Sequence, residues 1–460
     1  MMPKERYAKL QEYLSEENPV FLEVIEKYQA LDNIAYDLGL LAPEETYTAK
    51  ISWWPMISIL GTFSAGKSTF VNGYVGACIQ QTGNQAIDDK FTVMCYGHNG
   101  EPVTLPGLSL DADPRFPFYN ISEEVNKVDP GEGSRVNLYL QLKTLNSEKL
   151  KGKILIDSPG FDADAQRDAI LRMTSHIVEM SDLVLIFFDA RHPEPGAMRD
   201  TLKHLVATTI AHKDANKVLY ILNQIDTTAK EDNLEDVIGS WQRALAQEGL
   251  VSGNFFGIYN EDAAANVGDE ALLKRLKGKR DSDYTRILER MDHVGIERAY
   301  RIIKTLIDTA QEMKEQKIPL LHERLRHLRR NVWRSNAVAV ILVLMIAGLL
   351  QWQFHLFASM ESLVWGGSIV VAIIAVVHVK STQFFTAKEV KKWQEKQPDI
   401  ARAIAHNASW WRLLFGFTTQ WKHGATKRLD ALVTQGREAI QKLNDQFVAP
   451  AGTQKVNTAL

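Results

Sequence analysis

The segment Gly61-Thr62-Phe63-Ser64-Ala65-Gly66-Lys67-Ser68 constrains this chain more than any other. It satisfies GxxxxGK[ST] in full. The apolar run Met56-Ile57-Ser58-Ile59-Leu60 precedes it, and Thr69-Phe70-Val71-Asn72 reads as the opening of a helix. A strand, a glycine-bearing loop and a helix in that order form a phosphate cradle. Glycine lets the backbone wrap an anion with its N–H groups turned inward, and the helix N-terminus adds partial positive charge. Lys67 is placed to reach β- and γ-phosphates, and Ser68 to ligate Mg²⁺. The expected phosphate-binding set is Gly61, Ser64, Ala65, Gly66, Lys67, Ser68 and Thr69.

Around this loop, from about residue 51 to 257, short apolar runs alternate with helical stretches. The clearest further runs are Ile154-Leu155-Ile156, Leu183-Val184-Leu185-Ile186-Phe187-Phe188 and Val218-Leu219-Tyr220-Ile221-Leu222. Each is rich in branched or aromatic residues and ends at a polar or glycine turn, as buried parallel strands do. The alternation predicts an α/β fold with a doubly wound, mostly parallel sheet. In such a fold, ligands bind at the carboxyl ends of the strands.

Two more motifs stand at strand ends. Asp157-Ser158-Pro159-Gly160 follows Ile154–Ile156. It has the DxPG form in which the aspartate holds Mg²⁺ through water and the glycine N–H senses the γ-phosphate. Asn223-Gln224-Ile225-Asp226 ends the run Val218–Leu222, where NKxD stands in guanine-specific sites. Asp226 is expected to accept the guanine N1–H and exocyclic amine, and Asn223 to brace the loop and face the base. Gln224 keeps an aliphatic stem but lacks the lysine charge. A γ-phosphate-sensing threonine is expected between the phosphate-loop helix and the next strand. That interval holds Thr82, Ile87-Asp88-Asp89 and Thr92, none of which fits cleanly.

The flanks are helical. Residues 5 to 41 carry apolar side chains at three- and four-residue spacing, which predicts one amphipathic helix. Residues 281–334 are helical and strongly charged, with Pro319 expected to kink or interrupt them. Residues 337–357 and 363–379 are two apolar runs, marred in the second by Ser368 and His378. Each is near the roughly 20 residues that a membrane span needs. Arg324, Arg326, Arg329, Arg330 and Arg334 precede the first run, and Lys380, Lys388, Lys391 and Lys392 follow the second. The connecting loop has no lysine or arginine. Both ends are therefore expected on the cytoplasmic side. A shallow re-entrant wedge and a buried hairpin of a soluble domain are the alternatives. Trp410, Trp411, Leu413, Leu414, Phe415, Phe417 and Trp421 form an apolar patch that reads either as core or as a membrane-surface face.

Composition sets limits on partners. The formal net charge of -3 carries no nucleic-acid signature. The two cysteines, Cys78 and Cys95, form no CxxC pair, as befits a reduced compartment. His322, His327, His406 and His423 share no ligand spacing. The charged N-terminus shows no secretory h-region.

Taken together, the motifs resemble the dynamin superfamily. Within it, they resemble the bacterial dynamin-like proteins and the Eps15-homology-domain ATPases. GTFSAGKSTF is similar to GxxSxGKTTF, with Ser64 as in dynamins. Leu105-Pro106-Gly107 with Asp113-Pro114-Arg115-Phe116-Pro117-Phe118 resembles PG…DPxxPF. Phe187-Phe188-Asp189-Ala190 resembles LFDA, and Asp89-Lys90-Phe91-Thr92-Val93-Met94 resembles DxFxAVM. The paired threonines of that family fall at Ile87 and Asp88 here, NKxD reads NQID, and no EH domain follows.

The resemblance implies a GTPase acting with Mg²⁺, with ATP as the alternative substrate. Lys67, Ser64 and Gly160 would serve the reaction, Ser68 and Asp157 the metal, and Asn223 and Asp226 the base. It also implies self-assembly through the G domain and stalk on a lipid bilayer. The expected location is the bacterial inner membrane, with the G domain and both termini cytoplasmic. The expected division is an N-terminal helical segment (1–50), the G domain (51–265), a helical stalk (266–334), the membrane hairpin (335–380) and a returning stalk helix (381–460). An anchored switch or scaffold that recruits a protein partner is the competing function.

Overall fold

A computed structural model describes residues 3–62, 64–82, 90–113, 115–116, 136–160, 167–191, 217–227, 234–247, 253–261, 270–354, 360–415 and 420–448. The readings that fall on Phe63, on Ile87, Asp88 and Asp89, on Pro114, Pro117 and Phe118, and on Phe417 lie outside these residues. The chain divides into two compact units. One is residues 12–19 with 52–300, and the other is residues 1–11, 20–51 and 301–460.

The first unit is built on an eight-stranded sheet. Its strands are β1 (Met56–Gly61), β2 (Phe91–Tyr96), β3 (Val103–Pro106), β4 (Leu140–Leu145), β5 (Ile154–Asp157), β6 (Leu183–Asp189), β7 (Val218–Asn223) and β8 (Asn254–Gly257). They lie in the order β3-β4-β2-β5-β1-β6-β7-β8. The four strands legible in the sequence are the contiguous centre of the sheet, and with β8 they run parallel. The other end differs: β2 is antiparallel to β5 and β3 to β4, so the sheet is mixed.

Period-two alternation sorts the strand side chains onto two cores. Leu183, Leu185 and Phe187 pack with Phe70, Val71 and Tyr74 of helix α1 (Lys67–Val75), and with Ile287, Met291 and Val294. Val184, Ile186 and Phe188 face the other way, onto Trp241 and Leu245 of helix α2 (Leu234–Gln247). The central strands are therefore covered on both faces, which is why they read as unbroken apolar runs.

The elements flanking the sheet region in the chain are helical. The expected single N-terminal helix is two helices, Pro3–Glu17 and Leu22–Leu38, joined by a 3₁₀ turn at Pro19–Phe21. Pro19 supplies the reason, because it cannot donate to the ladder and it restricts Asn18 before it. Gly39 closes the second helix at φ 72°, with its N–H on the Tyr36 carbonyl. Pro319 has a milder effect than expected. Helix Glu270–Glu312 passes through a π segment, Met313–Lys317, directly into Ile318–Phe354. The widened turn sits just before the residue that lacks a donor.

Among the described residues two stretches are long and apolar enough to cross a membrane, within Glu270–Gln353 and Trp365–Gln394, and their most apolar windows are only 6% and 11% buried. Trp352 and Trp365 are 81% and 72% exposed. A hairpin forming the core of a soluble domain has the opposite pattern. At its base Asn336 Nδ2 donates to His378 Nδ1 at 2.7 Å, and His378 Nε2 donates to the Trp410 carbonyl at 3.2 Å. His378 is thus a buried joint between helices. The tryptophan-rich patch is split: Leu413 is fully buried, whereas Trp410 and Trp411 are exposed, their rings tilted with centroids 4.3 Å apart.

Candidate functional site

The register of the sheet aligns the motifs along one edge. Ile59 pairs with Asp157, Gly61 with Phe187, and Asp189 with Asn223. The phosphate loop, the DxPG turn and the NQID loop therefore leave the parallel strands β1, β5 and β7 at their carboxyl ends, with β6 between β1 and β7, where an α/β sheet opens its crevice.

In the phosphate loop, Ser64 has φ 59° and Gly66 has φ 84°, both left-handed. These turns bring the chain back to start α1 at Lys67. Ala65 is fully buried. Lys67 is buried and donates to the carbonyls of Gly61 and Thr62, each at 3.1 Å, so its ammonium lies over the loop. Ser68 and Thr69 follow in the first turn of α1, where free backbone N–H groups and the helix dipole favour an anion. Gly61 is pressed against β6: a Cβ there would come within 2.7 Å of the Phe187 carbonyl oxygen.

The NQID loop grips this cradle. Asn223 Nδ2 donates to the Ala65 carbonyl at 2.9 Å, and Gln224 Nε2 to the Ser64 carbonyl at 2.6 Å. Gln224 reaches that position with φ 64°. A Cβ on Gly66 would lie 2.2 Å from Asn223 Nδ2, so only glycine lets the two loops close. Asp226 is buried in the 3₁₀ turn Ile225–Thr227. Arg191 is nearby. Hydrogen bonding to Asp189 holds its guanidinium above the ordinary arginine range; partial burial works against this, and Asp189 and Asp226 add charge in its favour. Gln224, which stands where NKxD has its lysine, is a loop brace here through its side-chain amide.

Asp157 ends β5 and is 3% exposed. Ser158 continues the edge, its N–H on the Ile59 carbonyl at 2.9 Å, and Gly160 follows, half-buried. One contact was invisible to motif reading. Gln80 Nε2 donates to Asp157 Oδ2 at 2.7 Å, and Lys143 Nζ donates to Gln80 Oε1 at 2.6 Å.

The donors at this edge suit Mg²⁺. The Ser68 hydroxyl and the Asp157 carboxylate are hard oxygen ligands, few enough to leave room for water and phosphate oxygens, as that ion prefers. Among the described residues no cluster of three or more His, Cys, Asp or Glu side chains offers a closed metal cage.

Residues 57–225 match the Dynamin family model. "EH domain-containing protein 1" of Arabidopsis thaliana is 25% identical over 238 residues, covering 48% of this chain and 40% of that protein. "GTPase grn1" of Schizosaccharomyces pombe (strain 972 / ATCC 24843) is 27% identical over 136 residues, 27% of each chain. The chain thus spans less than half the length of these curated relatives. Among solved structures, two described as an oligomerised bacterial dynamin pair for long-range sensing and tethering of membranes align with 93% and 91% of the chain. Their identities are 14% and 16%, and their TM-scores 0.36 and 0.37.

Proposed function

We propose, for a chain that belongs to the dynamin superfamily through a G domain resembling that of the EH-domain proteins, that it hydrolyses GTP at a membrane. The observation that carries this reading is the closure of the NQID loop on the phosphate loop, through Asn223 to Ala65 and Gln224 to Ser64. It makes one cradle of a phosphate subsite and a loop able to read a base.

Within that cradle the backbone of residues 64–69 and Lys67 bind the β- and γ-phosphates. Ser68 and Asp157 would hold a magnesium ion, which would supply charge neutralisation on the transferred group. Gly160 presents an N–H toward the γ-phosphate. Attack by water forms a new P–O bond at the γ-phosphorus and breaks the bond to the β–γ bridging oxygen, leaving GDP and phosphate. Asp226 selects guanine. ATP is the alternative, because Gln224 stands in place of the lysine of NKxD.

The two exposed apolar stretches supply the anchor, with the G domain and both termini in the cytoplasm and the bacterial inner membrane as the site. Self-assembly through the G domain and stalk then remodels or tethers that membrane. Flotation of purified protein with liposomes tests this. GTP-dependent oligomers on the vesicles are expected. Protein that stays monomeric but captures a protein partner in its GTP state would instead identify an anchored switch.

A further inference from the structure

The buried polar bridge beside Asp157 goes beyond the residues of any motif. Gln80, Asp157 and Lys143 are 3%, 3% and 8% exposed. Chemistry fixes the direction of each hydrogen bond. An ammonium only donates, so the Gln80 amide oxygen faces Lys143; a carboxylate only accepts, so the amide nitrogen faces Asp157. The backbone of Gln80 is held as firmly. Asn72 Oδ1 accepts from the N–H groups of Ile79 and Gln80 at 3.0 and 2.9 Å, and Asn72 Nδ2 donates to the Gln80 carbonyl at 2.8 Å. Asn72 belongs to α1, the helix that begins at Lys67. Lys143 is held in addition by the Ile79 carbonyl at 3.0 Å.

Gln80 therefore joins the phosphate-loop helix, the end of β5 and the middle of β4. A lysine in direct contact with Asp157 would neutralise the carboxylate and compete with a divalent cation for it. A neutral amide between them fixes one carboxylate oxygen and leaves the charge in place. Hydrogen bonds of this kind orient metal-holding carboxylates, and their loss typically costs about 10- to 100-fold in metal affinity or activity.

We propose that Gln80 is a positioning residue for magnesium binding: a neutral bridge that orients the Asp157 carboxylate and separates it from Lys143. The inference rests on the nucleotide site proposed above. Its test is release of a fluorescent GDP analogue from the full chain as a function of Mg²⁺ concentration. The variants are Gln80→Glu, which keeps the shape and the acceptor for Lys143 but removes the donor to Asp157, and the pair Gln80→Leu/Lys143→Met, which leaves no buried ammonium exposed to mispairing. Thermal melting confirms that each is folded. Both variants are expected to need about 10- to 100-fold more Mg²⁺ for half-maximal retention, with analogue affinity in chelator unchanged. An unchanged requirement would reduce the bridge to packing, and a lowered one would make Gln80 a competitor of the ion; either overturns the proposal. A wild-type protein that binds no nucleotide, or binds it without magnesium dependence, would instead remove the site reading itself.

Discussion

Asn223 Nδ2 donates to the carbonyl of Ala65 at 2.9 Å, joining positions 158 residues apart in the chain. A residue expected to serve the base is therefore also a support for the phosphate loop. Losing one neutral hydrogen bond of this kind costs about 0.5–1.5 kcal/mol. Asn223→Ala should weaken binding of GDP by about a few-fold to tenfold, read by equilibrium titration. Asp226→Asn, by contrast, should leave the loop standing and move preference from guanine toward xanthine nucleotides. Unchanged preference would refute the role of Asp226.

Gly66 is the tightest point of the cradle. Gly66→Ala forces a side chain into left-handed backbone, at about 1–2 kcal/mol, and sets a methyl group 2.2 Å from Asn223 Nδ2. The Asn223 amide must then shift off the Ala65 carbonyl. We expect more than about a 30-fold loss of nucleotide affinity, beyond the roughly 5- to 30-fold that the backbone alone explains. The double variant with Asn223→Ala should recover part of it, because the clash is with that side chain.

Much of this site was legible in the sequence because its residues are bound to local chain geometry. The phosphate loop needs consecutive residues, and Asp157 and Asn223 each close an unbroken apolar strand. The bridge was not legible. Gln80 belongs to no spaced motif, and its partner Lys143 is a charge inside a strand, where it interrupts the apolar run that would have marked β4. In β2, Thr92 breaks the run in the same way although it is fully buried and accepts from Gln141 at 2.8 Å. In the helices, spacing marked the buried faces but not where Pro19 divides them, since three- and four-residue periodicity continues on both sides.

The helical unit carries a pH-dependent group. Burial pushes the Asp32 carboxyl above its ordinary value, against hydrogen bonds from the Thr48 side chain and the backbone of Tyr47 and Thr48. A raised folded value means that its stabilisation is full below pH 3.8 and is lost as pH rises through the folded value. Asp32→Asn stays neutral throughout but presents a donor to Thr48, costing about 1–3 kcal/mol. In urea unfolding from pH 4 to 7, the variant should lie below wild type at pH 4, and the gap should narrow as pH rises. A gap independent of pH would contradict the assignment.

The hairpin can be tested without nucleotide. Alkaline carbonate should leave the chain in the membrane pellet. Cys78 is exposed and Cys95 buried, so a Cys78→Ser background is quiet to thiol reagents. On it, Ser362→Cys should react with an impermeant maleimide only from the side opposite the G domain. Labelling from the G-domain side alone would indicate a re-entrant wedge.

The most direct measurement is steady-state turnover of GTP and ATP by the purified full chain, with and without liposomes, for wild type and Lys67→Ala. GTP hydrolysis should rise with lipid and fall by about 10²-fold or more without the Lys67 ammonium. Preference for ATP, or turnover indifferent to Lys67, would contradict the proposed function.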